Sequence, residues 1–139
     1  MGWRTECGKM VFMTRPNLTA GLHHLALFAK QFDACKHFYV DLLGMKVVWQ
    51  PDADNLYLSS GNDNLALHRA PQDFVPAKHQ HLDHIGFFLH AKDDVDTWYI
   101  YLRDLGVPIK AVPRDHRDQT RSFYCADPDG RVVQMIWMP

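Results

Sequence analysis

The chain has 139 residues, 47% of them hydrophobic, and a formal net charge of −1. These figures suit one compact domain with a real core, and they argue against a large multidomain enzyme, intrinsic disorder and a polyanion-binding surface. Glu6 is the only glutamate among 16 acidic residues, and nine histidines accompany the 15 aspartates. A mechanism that needs a glutamate ligand or base in the body of the chain is therefore excluded, and metal chemistry must rest on His, Asp, amides or Cys.

Residues 1–20 read as an N-terminal extension. They carry Arg4, Glu6 and Lys9, and the apolar stretch Met10–Met13 is too short for a signal peptide. No apolar run approaches the ~18 residues of a membrane span. Cys7, Cys35 and Cys125 are odd in number and lack CxxC spacing, so they read as free thiols in a reducing compartment. A soluble, cytoplasmic protein with no nucleic-acid or membrane partner is expected.

A strand is expected over Leu22–Ala29, short and rich in bulky apolar residues. Phe32, Cys35, Phe38, Tyr39, Leu42 and Leu43 then fall at three- and four-residue spacing, which predicts a helix. Gly44 sits where a helix takes a left-handed C-terminal residue. Three strands follow, over Met45–Gln50, Leu56–Ser59 and Leu65–His68. The stretch 72–81 is polar and aperiodic, with Pro71 and Pro76 at or near it, and reads as a linker.

The same grammar then recurs. Leu82-Asp83-His84-Ile85-Gly86-Phe87-Phe88 matches Leu22-His23-His24-Leu25-Ala26-Leu27-Phe28. Val95, Trp98, Tyr99, Leu102 and Leu105 form the second helical stripe, closed by Gly106. Strands follow over Ile109–Val112, Ser122–Ala126 and Arg131–Trp137, the last two joined by the tight turn Asp127-Pro128-Asp129-Gly130. His24 and His84 are 60 residues apart, and the Leu-Gly pairs ending the helices are 62 apart. The unit is βαβββ, present twice, about 21–71 and 82–139. One copy alone buries too little surface, so the two must share a core or exchange partners in a dimer.

These residues resemble the vicinal oxygen chelate superfamily, which includes glyoxalase I, fosfomycin-resistance enzymes, extradiol dioxygenases and bleomycin-resistance proteins. The resemblance rests on His24-Leu25-Ala26-Leu27, Phe38-Tyr39 with Leu42-Leu43-Gly44, His84-Ile85-Gly86-Phe87, and Phe123 through Gly130. It covers about Leu22 to Pro139. It implies an α+β fold in which two βαβββ modules curl a mixed sheet around a cleft that holds a divalent metal (Zn, Ni, Fe or Mn). It also implies a homodimer, in some relatives with each metal site built from both chains.

In that family the ligands come from the first and last strands of each module. Carried over, those places are His24, Ala66, His84 and Gln134. Ala66 cannot ligate, and Gln134 stands where the family has a glutamate. His24, His84 and Gln134 are therefore the candidate metal ligands. His68 lies one strand repeat (~7 Å) beyond Ala66 on the same face, as a third ligand, a base beside the metal or a cleft-lining group. His23 alternates to the opposite face. Arg114, Arg117 and Arg121, in a polar stretch before the penultimate strand, are read either as holding an anionic substrate group or as a solvated loop.

The missing carboxylates discriminate among reactions. Glyoxalase I chemistry needs a carboxylate base at the metal, and extradiol dioxygenases need two histidines and a carboxylate on iron. Authentic glyoxalase I is thus disfavoured. Two functions are carried forward. One is a metal-dependent lyase, isomerase or dioxygenase acting on a small oxygen-rich substrate. The other is a metal-free small-molecule-binding protein of the bleomycin-resistance kind.

Overall fold

Each half of the chain builds its own four-stranded sheet. The computed structural model describes residues 2–4, 10–12 and 15–139, so Glu6 and Cys7 lie outside the described residues. Two short strands come first, β1 (Gly2–Arg4) and β2 (Met10–Phe12), paired antiparallel. The first βαβββ unit runs β3 (His24–Ala29), α1 (Phe32–Lys36), β4 (Lys46–Trp49), β5 (Asn55–Ser59) and β6 (Asn64–Arg69). The second runs β7 (Ile85–Phe88), α2 (Asp94–Asp104), β8 (Ile109–Asp115), β9 (Arg121–Ala126) and β10 (Val132–Trp137).

Sheet order is the same in both halves: β3-β6-β5-β4 and β7-β10-β9-β8. In each, the first strand pairs parallel with the last and the other neighbours are antiparallel, giving a mixed sheet. Among the described residues no helix is long and apolar enough to cross a membrane.

Alternation along the strands sorts the side chains onto two faces. Leu27, Ala29, Leu56, Leu58, Leu65 and Leu67 of the first sheet are buried against the helical side. Phe123, Cys125, Val133 and Met135 of the second sheet join the same cluster, with Phe32, Cys35, Phe38, Tyr39, Val95 and Leu102 from the helices. One apolar cluster therefore spans both halves. Burying each large side chain contributes about 1.5–3 kcal/mol.

The opposite faces stay open. Phe28 and Phe88, 60 residues apart, are both exposed there, as are Val48 and Trp49 on the edge strand β4.

Two elements differ from the sequence expectation. The first helix is α-helical only to Lys36 and continues as a π-helical stretch, His37–Leu42. Its wider turn closes through Leu43 N–H to the Phe38 carbonyl at 3.0 Å. Adjacent Phe38 and Tyr39 are both buried, and Tyr39 Oη reaches Asp127 Oδ2 at 2.7 Å. A 3.6-residue stripe carries such adjacent pairs poorly; a wider turn accommodates them. Strand β8 also runs past Val112 and through Pro113 to Asp115. Its place at a sheet edge explains this, because proline's missing donor costs nothing there. Gly44 and Gly106 end their helices at φ +79° and +80°, as expected for left-handed terminators.

The halves are strapped together by the Asp127–Arg131 turn. Asp129 accepts hydrogen bonds from the backbone N–H groups of Lys30 (2.6 Å) and Gln31 (2.8 Å) at the start of α1. Gln31 Nε2 donates to the Pro128 carbonyl. Arg131 reaches Asp127, Asp129 and the Phe28 carbonyl. Asp127 is fully buried and also accepts from Tyr39. Burial first, then the Asp127 charge, pushes both the Cys35 and Cys125 thiols up to about 12.

Candidate functional site

A cavity of about 710 Å³ lies over the open face of the second sheet. His84, Tyr124, Gln134 and Ile136 form its floor, and the β8–β9 hairpin forms a wall with Arg114, His116, Arg117 and Thr120. The floor follows from register. Gln134 on β10 is opposite Tyr124 on β9 and beside Gly86 on β7. His84 immediately precedes β7.

The floor is tightly organised by hydrogen bonds. Gln134 Nε2 donates to Ser122 Oγ at 3.0 Å and to Tyr124 Oη at 2.8 Å. Both amide hydrogens are used, so two bonds hold the amide in this orientation. Its Oε1 accepts no hydrogen bond among the described residues. No buried side-chain nitrogen or oxygen among them is orphaned, which leaves Oε1 open to the cavity. Gly86 keeps it uncovered: an added Cβ would sit 3.7 Å from Oε1. Ser122, only 1% exposed, continues the chain to His116 Nε2 at 2.7 Å.

His84 is oriented in a complementary way. Its Nδ1 lies 2.6 Å from Asp83 Oδ2, and its ring stands edge-on to Tyr124, centroids 5.4 Å apart. With Nδ1–H donating to a carboxylate, Nε2 presents a lone pair. This is the second-sphere arrangement that metal-ligating histidines use. An oriented imidazole nitrogen and an unpaired amide oxygen suit a divalent ion, so the floor supplies two fitting neutral donors.

His24 and His68 lie on the open face of the first sheet and are not among the residues lining this cavity. Each ring is held as His84 is. His24 Nδ1 lies 2.6 Å from Asn64 Oδ1, and His68 Nδ1 lies 2.6 Å from Asn55 Oδ1. His68 also stands edge-on to Tyr57, which stacks on Trp49 at 4.9 Å. Ala66 is fully buried between these positions. Among the described residues no group of three or more His, Cys, Asp or Glu is placed to hold a metal. The structure thus brings His84 and Gln134 to one cavity and leaves His24 and His68 on the other sheet.

Other sequence candidates resolve differently. His23 bridges the Ala20 and Asn62 carbonyls at 2.8 Å each, a structural clasp. Arg121 turns to the helical side, where it pairs with Asp96 at 2.7 Å and Asp115 at 3.2 Å. Sequence reasoning missed the orienting residues Asp83, Asn55, Asn64, Ser122 and Tyr124. A signal for the last was present: the Asp127–Gly130 turn joins two antiparallel strands, and counting outward from it sets Tyr124 against Gln134.

The chain is thus an α+β fold of two βαβββ units with a polar floor on one open face. The family model for the Glyoxalase/Bleomycin resistance protein/Dioxygenase superfamily matches residues 21–135, and the chain belongs to that family. It is 31% identical over 122 residues to biphenyl-2,3-diol 1,2-dioxygenase 3 of Rhodococcus globerulus; the match covers 85% of this chain but only 63% of that relative. It is 26% identical over 119 residues to the metallothiol transferase FosB of Staphylococcus epidermidis, covering 83% of this chain and 81% of the relative. Both relatives are named as enzymes. The crystal structure of lactoylglutathione lyase from Agrobacterium tumefaciens superposes with a TM-score of 0.71 at 22% identity, over 87% of this chain and 96% of that one. That likeness bears on the fold alone.

Proposed function

We propose that the chain is a divalent-metal-dependent enzyme acting on a small oxygen-rich substrate in the cavity over the second sheet. His84, Gln134 and His24 are its metal ligands, and His68 is a catalytic group beside them. The observation that carries this reading is the Gln134 amide, pinned by Ser122 and Tyr124 with Oε1 bare in the same cavity as His84. Because His24 and His68 line no part of that cavity, the reading includes a homodimer in which a second copy brings its first sheet over the floor. The exposed Phe28 and Phe88 on the two open faces suit such burial.

When bound, the metal supplies Lewis-acid polarisation of adjacent substrate oxygens, as lyase, isomerase and dioxygenase reactions in the family require. The chain's own residues do the rest. Gln134 and His84 hold fixed donor directions, Asp83 and Asn64 keep the ligating rings in one tautomer, and His68 offers Nε2 for proton transfer. The donor set is neutral, with neither Ala66 nor Gln134 able to act as a carboxylate base, which disfavours the glyoxalase I reaction.

The same neutral donor set favours a second reading, a metal-free small-molecule-binding protein. Metal analysis separates the two. Protein purified without chelator or tag and offered Ni, Zn, Mn and Fe in turn should take up one of them stoichiometrically, and His84→Ala should abolish uptake while remaining folded. Uptake below about a tenth of an equivalent per chain with every ion refutes the enzyme reading.

A further inference from the structure

Four of the six arginines beyond residue 60 are neutralised within the fold: Arg69, Arg103, Arg121 and Arg131 each contact an aspartate. Arg114 and Arg117 are the other two, and among the described residues neither has an acidic partner. Both line the cavity over the second sheet. The two aspartates on the same wall are engaged elsewhere. Asp115 pairs with Arg121 at 3.2 Å and Lys92 at 3.3 Å. Asp118 Oδ1 accepts from Thr120 N–H at 3.1 Å and Thr120 Oγ1 at 2.7 Å. The Arg121 guanidinium holds the Asp115 carboxyl below its ordinary range, and the Thr120 donors do the same for Asp118.

The hairpin carrying these arginines is fixed in shape. His116 N–H donates to the Thr120 carbonyl at 2.8 Å, and Gln119 N–H to the His116 carbonyl at 3.0 Å. Gln119 sits at φ +70°, the one non-glycine residue with positive φ among those described. A side chain held in that region costs about 1–2 kcal/mol, which the surrounding hydrogen bonds must offset. His116 ties the hairpin to the floor through Ser122. Arg114 and Arg117 therefore stand on a braced wall, on either side of a residue wired to Gln134.

We propose that Arg114 and Arg117 form an oxyanion grip, so that the cavity takes a small molecule bearing a carboxylate or phosphate-type group at its outer end. The grip sets that group against the wall and turns the rest of the ligand toward His84 and Gln134. Two guanidinium groups suit this task because each offers parallel N–H donors to two oxygens of one anion. The inference deepens the functional reading above, since it names the substrate class for the same cavity, and it rests on that reading only for the ligand's inner end.

The test uses full-length protein stripped of metal, with inorganic phosphate and acetate as probes and sodium chloride at matched ionic strength as the reference. Backbone amide NMR shifts of Thr120, Tyr124 and Gln134 are the readout. Saturable shifts are expected with phosphate or acetate beyond those of chloride, and the tighter of the two identifies the headgroup. Arg114→Gln and Arg117→Gln should each weaken binding roughly tenfold, equivalent to about 1.4 kcal/mol, and Arg15→Gln should not change it. No saturation beyond chloride, or equal binding by the Arg114→Gln/Arg117→Gln double variant with a folded spectrum, overturns the proposal. Metal uptake measured separately without anion reports His84 and Gln134 alone. Anion binding without metal uptake therefore refutes only the metal reading, and metal uptake without anion binding refutes only the grip.

Discussion

The two halves of this chain share strand order and register and have diverged in what their open faces carry. On the second sheet, Gln134, Ser122, Tyr124 and His116 form one connected polar floor beneath a cavity. On the first sheet, the position equivalent to Gln134 is the buried Ala66, and the polar side chains reduce to two separate His–Asn pairs beside an aromatic stack. The linking turns differ in the same sense. Asp127 and Asp129 reach across to the other half, whereas Asp63 of the first copy folds back on Ser60 N–H and Ser59 Oγ. Duplication supplied two equal scaffolds; the preorganised floor and the long-range strap belong to the second alone.

The sharpest way to break this comparison is to separate the two sheets' contributions genetically. His24→Ala and His84→Ala variants should each lose metal binding. Co-folded, they should regain about half the wild-type stoichiometry if each site takes one sheet from each copy. Metal analysis of the isolated mixed dimer checks it; zero recovery would place His24 and His84 of one chain at the same site, and metal kept by the His24→Ala variant alone would place His24 at none.

The next largest difference lies between the turns. Asp127→Ala leaves Arg131 and Tyr39 without their buried partner and should cost about 3–5 kcal/mol. Asp63→Ala removes only local, solvent-facing bonds and should cost about 1 kcal/mol. Urea denaturation midpoints compare the two, and equal losses would mean that the strap does not join the halves energetically. A smaller effect should come from Ser122→Ala, which releases one of the two bonds fixing the Gln134 amide. Metal affinity should fall by about tenfold, the low end for losing a second-sphere partner, while Ser59→Ala on the first sheet, whose hydroxyl bonds only within its own turn, should leave it unchanged.

A last expectation concerns pH. Cys35 lies in one half and Cys125 in the other, and both thiols are pushed up to about 12 by burial. The unfolded thiols ionise near pH 8.5–9, so the unfolded state loses protons first. This contribution to stability should be level below about pH 9 and decline as pH rises toward 12. Replacing both cysteines by alanine should flatten that decline, as read from thermal melts across the range.

Much of the fold was legible because it repeats. A period-two strand, a helical stripe and a glycine terminator recur 60–62 residues apart, and every strand expected from Leu22 onward forms, with ends shifted by a few residues. The π-helical stretch was not legible; Tyr39 within it meets Asp127, 88 positions away. Nor was the strap, since Lys30 and Asp129 are 99 positions apart. At the site, it was the family resemblance that singled out Gln134, which lies in the cavity with His84. What alternation cannot convey is which way an amide points or which ring nitrogen is occupied. Those depend on Ser122, Tyr124 and Asp83, whose roles emerge only when neighbouring strands are aligned. The same limit explains Arg121: its sequence neighbourhood matches that of Arg114 and Arg117, yet strand parity sends it to the helical side and Asp96.

The strap between the halves also bears on where the polypeptide tolerates a covalent break. The stretch from Ala70 to His84 contains no strand or helix and spans the gap between β6 and β7. The turn carrying Asp127, Asp129 and Arg131 grips the opposite half through side chains and backbone, independently of that stretch. The connector is thus a tether, and the lock is elsewhere. Nicked there, the two fragments should stay associated, and a circular permutant opened at that point should keep both sheets in their present relation.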